Sequence, residues 1–202
     1  MSPLPPPKSC ALLLVDLQND FIHPEGAYGR AGVAAEPIAA LPERLAPLAA
    51  AMRAAGGLVI STHFTLVPGR GGAPLISSHL KELRPFLAAG DFVPGSWGHQ
   101  LVDVLGPADA SVEKVAYSAF YMSRLEWLIG RLSVAHLYVA GIVTNGGVAS
   151  TVRDAHVRDM GVTVLSDGCA AFSTTVHDAN IAALSSVART ISVADAIAEV
   201  RR

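Results

Sequence analysis

Leu137-Tyr138-Val139-Ala140-Gly141-Ile142-Val143-Thr144-Asn145-Gly146-Gly147-Val148 reads as a buried apolar strand that runs directly into a helix. Gly147 falls in the first turn of that helix, where backbone N–H groups have no intrahelical acceptor and the dipole favours negative charge. A thiolate held there would be activated, and an oxyanion would be stabilised. Glycine supplies only the backbone N–H, so the seat of a nucleophile is present without the nucleophile.

Outward from this stretch, short apolar runs alternate with segments of helical period. That is the pattern of βαβ units around a parallel sheet. Strands are expected at Cys10–Val15, Leu58–Thr62, Ser111–Glu113, Val134–Ala140, Val162–Leu165 and Thr190–Val193. Helices are expected over Glu36–Ala55, with Pro37 near its start and Gly56-Gly57 ending it, and over Asn145–Asp159, Val176–Ala188 and Ala194–Val200. A shorter helix, Ser123–Arg131, has Ser123 as a candidate cap with Glu126 three residues on. Phe64 to Gly98 is rich in Gly and Pro and reads as a long excursion with a helical piece at Ser77–Leu83. The fold class predicted is α/β, a Rossmann-like three-layer α/β/α sandwich on a mostly parallel six-stranded sheet with right-handed crossovers. Ligands in such sheets bind beyond the carboxyl ends of the strands, at the switch point. Asp16, Lys114 and Gly147 all lie at those ends.

The 202 residues are 51% hydrophobic and 16% charged, which excludes a disordered chain and is enough for a full core. Residues 1–9 read as a disordered or extended tail and 10–202 as one domain. The net charge of −2, without a Lys/Arg block, argues against a nucleic-acid partner. The N-terminus lacks signal-peptide character, and the apolar run Ala11–Val15 is too short to span a bilayer. A soluble, cytoplasmic protein acting on a small molecule is expected. Cys10 and Cys169 are too few for a disulfide framework and sit in strand-like contexts, as small core residues do.

Asp16 either caps the end of its strand or, beside a cation, is an acid/base whose pKa is set by burial against charge pairing. Asp20 reads as the turn or cap residue. Gln18 and Asn19 either orient groups in a site or satisfy the loop backbone. A lysine at a strand end is usually solvated. Tyr117, Phe120 and Tyr121 nevertheless follow Lys114 closely, which points to a partly apolar wall where Lys114 would pair with Asp16.

Three segments together, Val15-Asp16-Leu17-Gln18-Asn19-Asp20-Phe21, Glu113-Lys114-Val115-Ala116-Tyr117-Ser118-Ala119-Phe120 and Gly141 to Val148, resemble the signatures of the isochorismatase-like (cysteine hydrolase) superfamily. Ser150-Thr151-Val152-Arg153-Asp154-Ala155 and Asp167-Gly168-Cys169-Ala170-Ala171 fit as well, so the similarity runs from about Ala11 to Ala198. The resemblance implies an Asp–Lys–Cys triad at positions 16, 114 and 147, in which the cysteine forms an acyl-enzyme. Here position 147 is glycine, as it is in isochorismatases proper. Those protonate the methylene carbon of a vinyl ether with the aspartic acid, and water then adds to the oxocarbenium ion. The resemblance further implies a cis peptide between Ile142 and Val143, the N–H groups of Val143 and Gly147 facing the substrate, and a dimer or tetramer. Expected substrate contacts are Phe21, Trp97, Tyr117, Phe120, Val143, Thr144, Asn145 and Gly146, with Trp97 either lining the pocket or packing on the lid.

Nicotinamidase-type members bind a divalent ion through Asp-x-His and a further His. Ser61-Thr62-His63 lacks that aspartate and His79 and His99 add no ligand spacing, so no metal or other cofactor is expected. His23 and His177 read as loop or cap residues. Cys10 and Cys169 are poorly placed to replace the missing nucleophile. The stretch Phe92 to His99 looks more like the amidohydrolase members than like isochorismatases. Three functions follow. One is a cysteine-independent hydrolase of an acid-labile small carboxylate. The second is an amide or N-carbamoyl hydrolase scaffold without its nucleophile, by divergence or substitution. The third is a small-molecule binding or assembly protein.

Overall fold

The apolar runs form six strands, β1 (Cys10–Val15), β2 (Leu58–Phe64), β3 (Ala110–Lys114), β4 (His136–Ile142), β5 (Gly161–Ala170) and β6 (Arg189–Ile191). The computed structural model describes residues 4–202. The strands pair in the order β3-β2-β1-β4-β5-β6 and every pairing is parallel. The chain thus winds one way through β1, β2 and β3, then returns to β4 on the other side of β1. This places the switch point between β1 and β4.

Helices cover both faces. In chain order they are α1 (Asn19–Ile22), α2 (Ala27–Arg30), α3 (Glu36–Ala39), α4 (Leu41–Ala54), α5 (Ser78–Leu83), α6 (Leu125–Arg131), α7 (Ala149–His156), α8 (Thr174–Leu184) and α9 (Val193–Val200). Leu12 and Leu14 of β1 share one core cluster with Leu45 and Leu48 of α4 and Val200 of α9. Leu13 and Val15 join the opposite cluster with Leu125 of α6 and Val152 of α7. Both faces of β1 are therefore dry, which is why it reads as an unbroken apolar run rather than an alternating one. Each leucine so buried stabilises the fold by about 1.5–3 kcal/mol.

Several boundaries depart from the sequence expectations, each for a local reason. The helix expected over 36–55 is divided at Ala40 into α3 and α4. Pro42 has no N–H to donate to the Ile38 carbonyl, so the first helix cannot run on. Ser123 does not form a capping box with Glu126. Its hydroxyl donates to the Ala119 carbonyl and accepts from the Leu125 N–H at 3.1 Å, and α6 starts at Leu125. The helix after β4 opens with a wide π turn, Thr144–Val148, before α7. β5 continues past Leu165 to Ala170 because its pairing with β4 resumes at Cys169 and Ala170 beyond an irregularity, where Ser166 and Asp167 also interrupt the apolar signal. Of the expected tail, residues 1–3 lie outside the described residues, and Pro7–Ser9 form a 3-10 turn that Pro7 starts with its preset φ.

The Gly/Pro-rich excursion after β2 folds back over the carboxyl edge of the sheet, where Leu66, Leu87 and Phe92 pack with Tyr28 in a third cluster. Three polar residues fasten it. The Gln18 side-chain amide donates to the Phe64 and His99 carbonyls at 3.0 Å each and accepts from the Phe64 N–H at 2.7 Å. The Asn19 amide donates to the Trp97 carbonyl at 2.8 Å. Asp20 accepts from the N–H groups of Ala27 and Phe92 at 2.9 and 2.7 Å. Of the two roles open for Gln18 and Asn19, the structure shows the satisfaction of loop backbone.

Candidate active site

Asp16 is the first residue past β1 and adopts φ = 58°, a left-handed conformation that aspartate tolerates better than most residues. Its N–H donates to the Thr62 carbonyl at 3.2 Å, and the Thr62 hydroxyl donates to Oδ1 at 2.7 Å. Lys114, the last residue of β3, places Nζ 2.6 Å from Asp16 Oδ2 and donates to the Ala116 carbonyl at 3.0 Å. Lys114 also lies 5.7 Å from the centre of the Phe64 ring. The two residues are 4% and 2% exposed, so the lysine is not the solvated residue common at strand ends. Burial pushes the Asp16 carboxyl above its ordinary range; the Lys114 charge and the Thr62 hydrogen bond pull the other way and do not prevail.

Gly147 completes the corner. A Cβ built on it would stand 3.3 Å from Asp16 Oδ2, 3.1 Å from Val15 Cγ1 and 2.8 Å from the Ile142 carbonyl oxygen. The slot therefore lies beside the carboxylate, and a backbone carbonyl already crowds it. The approach depends on Gly141, whose φ of 120° and absent Cβ let it meet the Val15 backbone, with a carbonyl oxygen 2.2 Å from where a Cβ would be. The pairing of β4 with β5 shifts register at the same place, a bulge that re-aims Ile142 and Val143. The peptide bond between those two residues is cis.

Asp16, Lys114 and Gly147 open on one cavity of about 280 Å³, small beside the roughly 300–1,000 Å³ common for ligand sites. Phe21, Tyr117 and Val143 also line it. Trp97 does not: its half-exposed indole meets the His23 ring edge-on, 4.9 Å between centres. Phe120 points into the core beneath α6 and α7, with the Arg158 guanidinium 4.8 Å over its ring. Thr144 is wholly buried and hydrogen-bonded to His177 Nδ1 at 2.8 Å, while Asn145 is exposed. Gly146 packs behind the Tyr117 ring, which would sit 3.1 Å from a Cβ. These three expected substrate contacts do not line the cavity, and all three lie in the π turn. His177 itself belongs to α8.

Sequence reasoning missed Tyr28, Arg84 and Phe172, which reach the same cavity from α2, from the end of α5 and from the segment after β5. None stands at a fixed distance from the three motifs, and the Gly/Pro content of the excursion announces only a loop.

Neither cysteine lines the cavity. Burial pushes the Cys169 thiol up to about 12, with Sγ 3.7 Å from the Val139 carbonyl. Cys10, at the start of β1, is also raised by burial and faces the Pro5 and Pro6 carbonyls. His63 bonds Ser61 Oγ and His99 bonds Thr65 Oγ1, each at 2.8 Å, and burial lowers His99 to about 4. Among the described residues, no three of His, Cys, Asp and Glu are grouped to hold a metal ion.

A doubly wound parallel sheet with a buried carboxylate–ammonium pair at its switch point is the frame of a hydrolase class, and comparison with known proteins places the chain in it. The Isochorismatase domain family matches residues 10–195. Ureidoacrylate amidohydrolase RutB of Caulobacter vibrioides is 32% identical over 179 residues, 82% of this chain and 79% of that one. In fold, a cysteine hydrolase from Pseudomonas syringae pv. phaseolicola aligns with TM-score 0.83 at 23% identity, over 99% of this chain and 95% of that chain. An isochorismatase family protein from Desulfovibrio vulgaris aligns with TM-score 0.79 at 26% identity, over 96% and 99% of the two chains. The chain belongs to the isochorismatase family of hydrolases.

Proposed function

We propose that this protein hydrolyses a small, acid-labile, carboxylate-bearing vinyl ether with Asp16 as general acid, Lys114 as its partner and no covalent intermediate. The observation that carries this reading is the buried Asp16–Lys114 pair opening on a cavity whose third position is glycine. Asp16 delivers a proton to the methylene carbon, leaving an oxocarbenium ion. Water adds to that ion and returns a proton to Asp16. The hemiketal then collapses to an alcohol and a keto acid. A general acid must be protonated at the working pH, and burial moves Asp16 in that direction. An approaching substrate carboxylate raises it further, as like charges do. Lys114 anchors the carboxyl and offsets negative charge once the proton has left. The partner is a small molecule rather than a nucleic acid or a membrane, and no described helix is long and apolar enough to cross a membrane.

Likeness to the ureidoacrylate amidohydrolase favours a second reading, an amide or ureido hydrolase scaffold lacking its thiol. The crowding of position 147 by the Ile142 carbonyl supports the first, because a side chain there requires a backbone shift. Gly147→Cys separates them. It is expected to destabilise the fold by about 1–3 kcal/mol, as overpacking does. The unaltered chain is expected to turn over isochorismate, and neither chain the panel of amides and N-carbamoyl compounds. Amide hydrolysis appearing only with the cysteine would establish the second reading, and no turnover by either chain would leave a binding protein.

A homo-oligomer is part of the same proposal. Val115, Tyr117, Tyr121 and Met122 stay exposed between β3 and α6, as does Trp127 on α6, adjoining the cavity at Val115 and Tyr117. A second copy covering them would shield apolar surface of a kind monomers seldom display. Sedimentation equilibrium is expected to return a multiple of 21.0 kDa, and a monomer mass at micromolar concentration would refute the assembly.

A further inference from the structure

Arg84 is the cation on the cavity wall for which the acid–base reading has no use. Its guanidinium lies 5.5 Å from the Phe172 ring centre and 6.0 Å from that of Tyr28, and those two rings stack at 12°. Nε donates to the Tyr28 hydroxyl at 3.0 Å and Nη1 to the Leu83 carbonyl at 2.8 Å. Among the described residues no carboxyl group bonds to it, whereas Lys114 is held by the Asp16 carboxyl at 2.6 Å. The lining thus holds one cation bonded to a carboxyl group and one guanidinium without such a partner, its Nε and Nη1 already donating and its Nη2 left for a ligand.

Between the two charged places runs an aromatic floor. Lys114 lies over Phe64, and Phe64, Phe21 and Tyr28 follow with ring centres 6.1 and 4.9 Å apart. Leu80, Leu83 and Leu87 add aliphatic wall beside it. A planar, mostly apolar body suits these rings, and one anionic group suits the planar fork of an arginine held by stacking. A partly desolvated guanidinium in so small a space favours charged over neutral ligands strongly.

We infer that Arg84 is the specificity residue of this cavity and binds a carboxylate of a small substrate anion whose flat, mostly apolar body lies on Phe21, Phe64 and Tyr28 toward Asp16. The inference rests on reading this cavity as the substrate site and names the substrate class. Arg84 positions the ligand and takes no part in proton transfer.

Benzoate and its uncharged analogue benzamide are suitable probes, measured by isothermal titration calorimetry at low salt. The unaltered chain is expected to bind benzoate more tightly than benzamide. Arg84→Gln should weaken benzoate by roughly 10–100-fold, the value of a hydrogen bond to a charged group, and leave benzamide within about 3-fold. Arg84→Lys, which keeps the charge but not the fork, should fall between. A second measurement needs no variant: raising ionic strength should weaken benzoate and spare benzamide. Equal affinities in Arg84→Gln and the unaltered chain, equal salt responses of the two probes, or no benzoate binding at all would overturn the inference. Because binding needs no turnover, failure here is distinct from failure of the vinyl-ether chemistry, which shows only in product release.

Discussion

Asp16→Asn is expected to lower kcat on isochorismate by about 10²–10⁴-fold, the usual contribution of a positioned general acid. Asparagine is isosteric, can keep through its single oxygen the hydrogen bond from Lys114 at the Oδ2 position, gives up the one from Thr62 at Oδ1, and has no proton to give at neutral pH. The effect should therefore fall on kcat, with KM changed little. The rate of the unaltered chain should decline on the alkaline side as Asp16 loses its proton, at a pH above the ordinary carboxylate range because burial raises this group. Asp16→Asn should lack that limb. Steady-state kinetics from pH 5 to 9 check both, and an Asn variant retaining full activity would remove Asp16 from the chemistry.

The second large effect is on stability. Lys114→Met removes the ammonium 2.6 Å from a carboxylate that is itself 4% exposed. Breaking a buried pair by deleting one partner typically costs about 3–5 kcal/mol, because the remaining charge stays buried without compensation. Asp16 has an escape, which is to take up a proton. A carboxyl whose folded pKa is raised binds more protons folded than unfolded. Its favourable contribution is thus complete below the unfolded value and is lost as pH rises through the folded one. Without Lys114 that folded value rises further. The deficit of Lys114→Met relative to the unaltered chain should be largest near pH 8 and shrink toward pH 5, as read by urea denaturation at each pH. The double change Asp16→Asn with Lys114→Met should recover much of the loss. A deficit independent of pH would mean that the lysine acts through packing alone.

Much of this was legible before any coordinates. Continuous burial of β1 makes its six residues a plain apolar run, and its end falls where the first polar residue, Asp16, stands. The alternation of strands and helices likewise marks the carboxyl ends of parallel strands, so Asp16, Lys114 and Gly147 could be placed at one sheet edge, while the strand order that sets the switch point came from the structure. What the linear pattern did not carry was side-chain direction in irregular backbone. Thr144, Asn145 and Gly146 adjoin Gly147 in sequence and share its π turn, yet they do not line the cavity. Phe120 shares a motif with Tyr117 but belongs to the core on the far side of that turn. Arg84 and Phe172 are brought to the cavity by packing of the excursion and of the segment after β5, contacts that no local period encodes.

Intact-mass spectrometry of the protein quenched during steady-state turnover of isochorismate tests the absence of a protein nucleophile most directly. Product should form while the chain keeps its own mass of 21.0 kDa throughout. A chain that gains the mass of a substrate fragment during turnover would contradict the acid-catalysed route, and so would a chain that releases no product.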